Sequence, residues 1–283
     1  MNLYRSYIHL WKQSTINSGF SPRLPDYATR FWFEQMEQAL PQSCSPRAFL
    51  DIGAGNGRLS LLLLSTYSVQ GTAVEVQVDP HAWQPITNRF SRFELIEGKV
   101  QEILETFDGK KTYSFILLAE VFEHIPPTDV TPFLTALSKI LSPDGTLFLT
   151  TPNRVVQGPA EQSSMWHEKK PYGHHKHYTY QELATLLEKH GFDIEWHTFE
   201  CHTIKKILYN RLFYPLSRID GRFLGSKKIP RIAKLAFRAT SMPIMSLARL
   251  FFWGISQLVY TIERTHSTEH NSQTMILRIR KSK

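Results

Sequence analysis

The chain has 283 residues, 42% hydrophobic and 20% charged, with 33 Lys+Arg against 25 Asp+Glu and a formal net charge of +8. These proportions exclude intrinsic disorder, and 14 Gly with 16 Pro exclude a fibrous repeat. The length allows one large domain or two modest ones. The charge divides along it: residues 1–199 carry 17 basic and 21 acidic residues (−4), residues 200–283 carry 16 and 4 (+12).

Cys44 and Cys201 are the two cysteines, and in a chain of this size they read as reduced thiols. Met1 to Trp11 contains Arg5 and no continuous apolar run, so no signal peptide is expected and the default location is cytoplasmic. Residues 1–45 are rich in aromatics (Tyr4, Tyr7, Trp11, Phe31, Trp32, Phe33) and hold one helical stretch, Thr29–Leu40, which reads as an N-terminal helical cap.

From Ala48 short apolar runs alternate with amphipathic stretches. The expected strands are Ala48–Ile52, Thr72–Val76, Phe93–Ile96, Tyr113–Ala119 and Thr146–Thr150. Helices are expected between them at Gly57–Ser65, Pro80–Phe90, Val100–Thr106 and Thr131–Leu141, and after them at Thr179–His190. Such alternation is the pattern of a parallel sheet covered on both faces. Ser142-Pro143-Asp144-Gly145 reads as a turn into the fifth strand, and Phe192–Phe199 and Thr274–Arg280 fit a sixth and a seventh.

Phe49-Leu50-Asp51-Ile52-Gly53-Ala54-Gly55-Asn56-Gly57 is an apolar strand running into a glycine turn and then a helix. Glycine permits positive φ and lets the backbone approach a ligand closely. Glu75 ends the next strand, where an acidic side chain can accept hydrogen bonds from both hydroxyls of a ribose. The acid-x-Gly-x-Gly-x-Gly pattern from Asp51 to Gly57 resembles the first motif of class I S-adenosylmethionine-dependent methyltransferases. Its glycine spacing differs from the Gly-x-Gly-x-x-Gly of dinucleotide-binding enzymes. The resemblance covers about residues 48–200 plus the final strand.

It implies an α/β fold: a Rossmann-like seven-stranded sheet, mostly parallel with the last strand antiparallel, with helices on both faces and a helical insertion before the last strand. The methyltransferase domain would comprise residues 46–201 and 273–283. S-adenosylmethionine would contact Asp51 at its methionine amino end, Gly53, Ala54, Gly55, Asn56 and Gly57 along the loop, Glu75 at the ribose, and Val100 and Ala119. Lys99 stands where many members carry Asp in the adenine-binding segment.

The fourth strand opens into Glu120-Val121-Phe122-Glu123-His124. A helical turn starting at Glu120 would put Glu120, Glu123 and His124 on one face, a half-site for a divalent cation such as Mg2+. A further ligand is available from the loop holding His167, His174, His175 and His177. The Glu-x-x-Glu-His motif resembles ubiquinone-biosynthesis O-methyltransferases. Together with Thr150-Thr151-Pro152-Asn153, His174 or His175, and Tyr178-Thr179, it also resembles small-RNA 2′-O-methyltransferases. These resemblances imply catalytic roles for Glu123, His124 and His174, and a metal set of Glu120, Glu123, His124 and either His174 or His175. A metal-free relative, in which Glu caps the turn and His packs near the cofactor, is the competing reading.

Residues 202–272 hold most of the excess positive charge, interleaved with aromatics, and read as a mostly helical insertion. Within it Ser246, Arg249, Trp253, Ser256, Tyr260 and Glu263 line one helical stripe, and Ile244, Leu247, Phe251, Ile255, Leu258 and Ile262 the opposite one. Three partners remain open for it: the protein's own core or a second copy, an anionic membrane surface reached peripherally, or nucleic acid. The acceptor expected from the sequence is a small-molecule or lipid-linked hydroxyl compound. RNA is the alternative.

Overall fold

The structure, a computed structural model, describes residues 27–40, 48–67, 69–99, 111–200 and 267–282. Expectations for Cys44, Cys201, Val100, the helix from Val100 and most of 1–45 and 202–272 lie outside them. In chain order the elements are α1 (Tyr27–Ala39), β1 (Ala48–Ile52), α2 (Arg58–Thr66), β2 (Gln70–Glu75), α3 (Pro80–Thr87), β3 (Phe93–Glu97) and β4 (Tyr113–Ala119). A 3-10 turn, Phe122–His124, leads to α4 (Val130–Ile140), β5 (Leu141–Pro152), the short α5 (Arg154–Gln157) and a second 3-10 turn, Ala160–Gln162. Then come α6 (Tyr180–Lys189), β6 (Phe192–Glu200) and β7 (Thr274–Lys281).

The seven strands form one sheet in the order β3-β2-β1-β4-β5-β7-β6. The pairs among β1 to β5 are parallel, whereas β7 runs antiparallel to both β5 and β6. This is the expected mostly parallel sheet with an antiparallel final strand. Strand side chains alternate between two cores, as the period of two requires. Leu50, Ile52, Ile116, Leu118, Leu147 and Leu149 pack with Leu134, Leu137, Leu183 and Leu187 of α4 and α6. Phe49, Phe115, Leu117 and Phe148 face the other way, onto Leu62, Leu63, Trp83 and Ile86 of α2 and α3, with Phe33 and Met36 of α1. Phe115, Ile116, Leu117 and Leu118 are all 0% exposed, which is why β4 reads as an unbroken apolar run.

One expectation changes. Ser142–Gly145 does not precede β5 but lies within it: Tyr113 pairs with Leu141 and Phe115 with Thr146, so the register jumps and those residues bulge from the ladder. At the far end α6 begins with a capping box. Thr179 Oγ1 accepts from the Glu182 N–H at 3.2 Å, and Glu182 Oε2 accepts from the Thr179 N–H at 2.8 Å. A cap of this kind contributes about 1 kcal/mol and fixes where the histidine-rich loop must end.

Candidate functional site

The glycine turn leaves the C-terminal end of β1, which is flanked by β2 on one side and β4 on the other. Open α/β sheets bind their ligands in that crevice. Gly53, Gly55 and Gly57 have φ of 64°, 56° and 72°, the left-handed region that only glycine enters freely. Their surroundings differ. A Cβ on Gly53 would lie 2.5 Å from Val121 Cγ2, and one on Gly57 would lie 2.6 Å from Ile86 Cδ1, whereas one on Gly55 would meet nothing within 4 Å. Gly53 and Gly57 are therefore needed for packing, and Gly55 borders the open side of the loop.

Hydrogen bonds hold this loop in place. The Gly53 N–H donates to Val74 O at 2.8 Å, and Trp83 Nε1–H donates to Gly55 O at 3.0 Å. The Glu75 carboxylate accepts from the Gly55 N–H at 2.6 Å and from the Gln77 N–H at 3.2 Å. Ala54 is half-buried and Asn56 exposed on the same turn, and Ala119 ends β4. Asp51 is 1% exposed and accepts from Ser60 Oγ at 2.6 Å, so its carboxylate ties β1 to the first turn of α2. Burial pushes its pKa up to about 7, against the lowering effect of the Ser60 hydrogen bonds. Ser60 was not singled out in the sequence.

The turn after β4 departs from the helical spacing argument. Glu120 has φ 56°, so it stands outside the helical turn, which starts two residues later. Its N–H donates to Thr150 O at 3.0 Å, and its Oε1 accepts from Thr150 Oγ1 at 2.9 Å, which holds it against β5. Among the described residues the group with metal-ligand proximity is Glu123, His124 and His174, with one donor atom from each, all within 4.8 Å of one another. Glu120 and His175 do not belong to that group. His175 instead stacks on His167, ring centroids 4.1 Å apart.

Each member is fixed by neighbours. Glu123 is 1% exposed, and its Oε2 accepts from Thr151 Oγ1 at 3.0 Å. Burial, then the charge of Glu120, raises its pKa well above the ordinary carboxylate value. His124 Nδ1 lies 3.2 Å from Gly173 O, and Nε2 lies 3.9 Å from Glu123 Oε1. A carbonyl only accepts, so a proton sits on Nδ1, and in the neutral ring Nε2 offers a lone pair on the side of the carboxylate. His174 is drawn in by a parallel bridge to Trp166: its N–H donates to Met165 O at 2.6 Å, and His167 N–H donates to His174 O at 3.1 Å. Gly173 permits that approach, since a Cβ there would collide with Met165 O and with His167 Cα. Burial, with His124 and His177 adding to it, pushes the His174 pKa down to about 4.

Val121 joins the two halves. It contacts Gly53 of the glycine loop and precedes the turn that carries Glu123 and His124. A family model described as a methyltransferase domain matches residues 26–196. This chain belongs to that methyltransferase-domain family. Its sheet order and glycine loop are those of the class I S-adenosylmethionine-dependent methyltransferases. Similar proteins include a "probable S-adenosylmethionine-dependent methyltransferase" of Mycolicibacterium smegmatis, 26% identical over 58% of this chain and 60% of that one. The ubiquinone biosynthesis O-methyltransferase of Bos taurus is 25% identical over 57% of this chain and 43% of that one. The chain thus spans about half the length of the curated relatives it matches. Among solved structures, phosphoethanolamine N-methyltransferase 2 of Haemonchus contortus, in complex with S-adenosylmethionine, superposes with a TM-score of 0.57 at 16% identity, over 89% of this chain and 53% of that one. That likeness is one of fold.

Proposed function

We propose that this protein transfers the methyl group of S-adenosylmethionine to a hydroxyl oxygen of a small or lipid-linked acceptor, with a divalent cation held by Glu123, His124 and His174. Family membership supports the methyl donor, and the O-methyltransferases among the relatives support oxygen as the target. One observation carries the metal: a buried carboxylate and two imidazoles converge at the turn that Val121 opens, and Val121 is the side chain that touches the glycine loop.

The residues present fit both ligands. Gly55 leaves room on the open side of the loop, and Glu75 already accepts a short hydrogen bond there, so ribose hydroxyls would replace a backbone amide as its donors. Asp51 supports the loop from beneath through Ser60. For the cation, Glu123 is a buried acid beside a second carboxylate, an environment that gains from positive charge. With Glu120 turned to Thr150, the donors are one oxygen and two nitrogens. Such a set suits Mn2+, Fe2+ or Zn2+ better than Mg2+, which prefers oxygen ligands and octahedral geometry.

Bound there, the cation would lower the pKa of an acceptor hydroxyl and orient its oxygen. Magnitude separates the two roles open to His174. With its pKa near 4 it is a weak proton acceptor at neutral pH, but it is uncharged there, as a metal ligand must be. The ligand role is therefore preferred to that of general base.

No helix among the described residues is long and apolar enough to cross a membrane. For a lipid-linked acceptor the companion proposal is that the basic segment 202–272 docks on an anionic surface, which sedimentation with anionic against neutral vesicles tests. The main reading is tested by mass spectrometry of a phenol and catechol panel incubated with protein and cofactor. O-methylated product, lost on chelation and restored by Mn2+, is expected. Product formation indifferent to chelation removes the metal, and no cofactor binding in calorimetry removes the whole reading.

A further inference from the structure

His177 is buried at 1% exposure and is neither one of the clustered ligands nor on the loop's surface. Its Nδ1 lies 2.8 Å from Gly158 O, and its Nε2 lies 2.7 Å from His174 Nδ1. The proton assignment follows from the first acceptor. Gly158 O can only accept, so His177 Nδ1 carries hydrogen and, in the neutral ring, Nε2 presents a lone pair. That lone pair needs a donor at 2.7 Å, which makes His174 the Nδ1–H tautomer with a bare Nε2. His124 reaches the same state by a shorter route, through Gly173 O to its own Nδ1. Both imidazoles are thus anchored on the δ side and offer the ε nitrogen.

We infer that His177 is a positioning residue: through the chain Gly158 O to His177 to His174 it selects the tautomer of His174 and leaves Nε2 as the bare nitrogen that can serve beside Glu123 and His124. Ligating histidines commonly donate their second ring nitrogen to a fixed acceptor, and such acceptors govern affinity without touching the metal. Here the acceptor is a second histidine, itself tied to the residue that caps α5. The inference rests on the reading of Glu123, His124 and His174 as the ligand set, yet the tautomer can be observed with no metal present.

The test uses the full-length, metal-free protein labelled with 15N-histidine. Two-bond 1H–15N correlation at pH 8 reports which nitrogen of His174 carries hydrogen, with His174→Gln assigning the signal. The expected result is Nδ1–H in the wild type, a shift toward Nε2–H in His177→Phe, and retention of Nδ1–H in His177→Gln, whose Oε1 can accept. Mn2+ affinity should fall roughly 10- to 100-fold in His177→Phe and recover largely in His177→Gln. If His177→Phe does not fold, the wild-type tautomer and His177→Gln still decide. Nε2–H in the wild type, or unchanged tautomer and Mn2+ binding in a folded His177→Phe, overturns the inference. A wild type that holds Nδ1–H but binds no Mn2+ overturns the metal reading instead and leaves the His177 assignment standing.

Discussion

The carboxylate of Glu75 accepts a hydrogen bond from the backbone N–H of Gly55 at 2.6 Å, closing the end of β2 over the open side of the glycine loop. That bond places the acid where it can take the hydroxyls of a nucleoside, at the one loop glycine whose Cβ position is empty. Glu75→Ala should leave the fold intact and weaken S-adenosylmethionine binding roughly 10- to 100-fold, the loss expected for hydrogen bonds to a charged group. Isothermal calorimetry with the cofactor measures it.

The loop glycines should separate by consequence. Gly55→Val has space but must hold a β-branched residue at φ 56°, so binding should vanish while the protein stays folded at a cost of about 1–2 kcal/mol. Gly53→Val drives a side chain into Val121 and should destabilise the fold as well. Thermal denaturation beside calorimetry distinguishes them.

Asp51 gives a pH signature. Its pKa rises from 3.8 to about 7 on folding, so the folded state binds the extra proton between those values. Stability contributed by the protonated form is therefore present below about pH 4 and lost as pH rises toward 7. Relative to Asp51→Asn, the unliganded wild type should lose a few kcal/mol across that window. A denaturant midpoint difference that does not change between pH 4 and pH 8 would contradict the burial argument.

Among the described residues the strands and helices were legible because their side chains obey simple periods, with Phe49 and Leu50, or Leu117 and Leu118, facing opposite cores. Two features of the site and one of the sheet were not. Helical spacing assumes a right-handed backbone, and nothing in a glutamate announces the left-handed φ that turns Glu120 to Thr150. The choice between His174 and His175 depends on the crossing of Met165 and His167 against Gly173, contacts that close only in three dimensions. Ser142–Gly145 reads as a turn before the fifth strand, but the pairing of Tyr113 with Leu141 makes it a bulge inside β5, a contact that local turn chemistry does not reveal.

Gly173 is a structural gate on the same cluster. Gly173→Ala must push Met165 and His167 apart, displacing both His174 and the carbonyl that anchors His124. Mn2+ binding should drop at least tenfold while cofactor affinity, set on the other side of Val121, changes little.

A thermal-shift titration of Mn2+ on the wild type and on Glu123→Gln, in saturating S-adenosylmethionine, tests Glu123 as a metal ligand. The ligand-set account predicts stabilisation of the wild type by about 2.7 kcal/mol at a hundred times the dissociation constant, with no shift in Glu123→Gln. Equal shifts in both proteins, or none in the wild type, would contradict it.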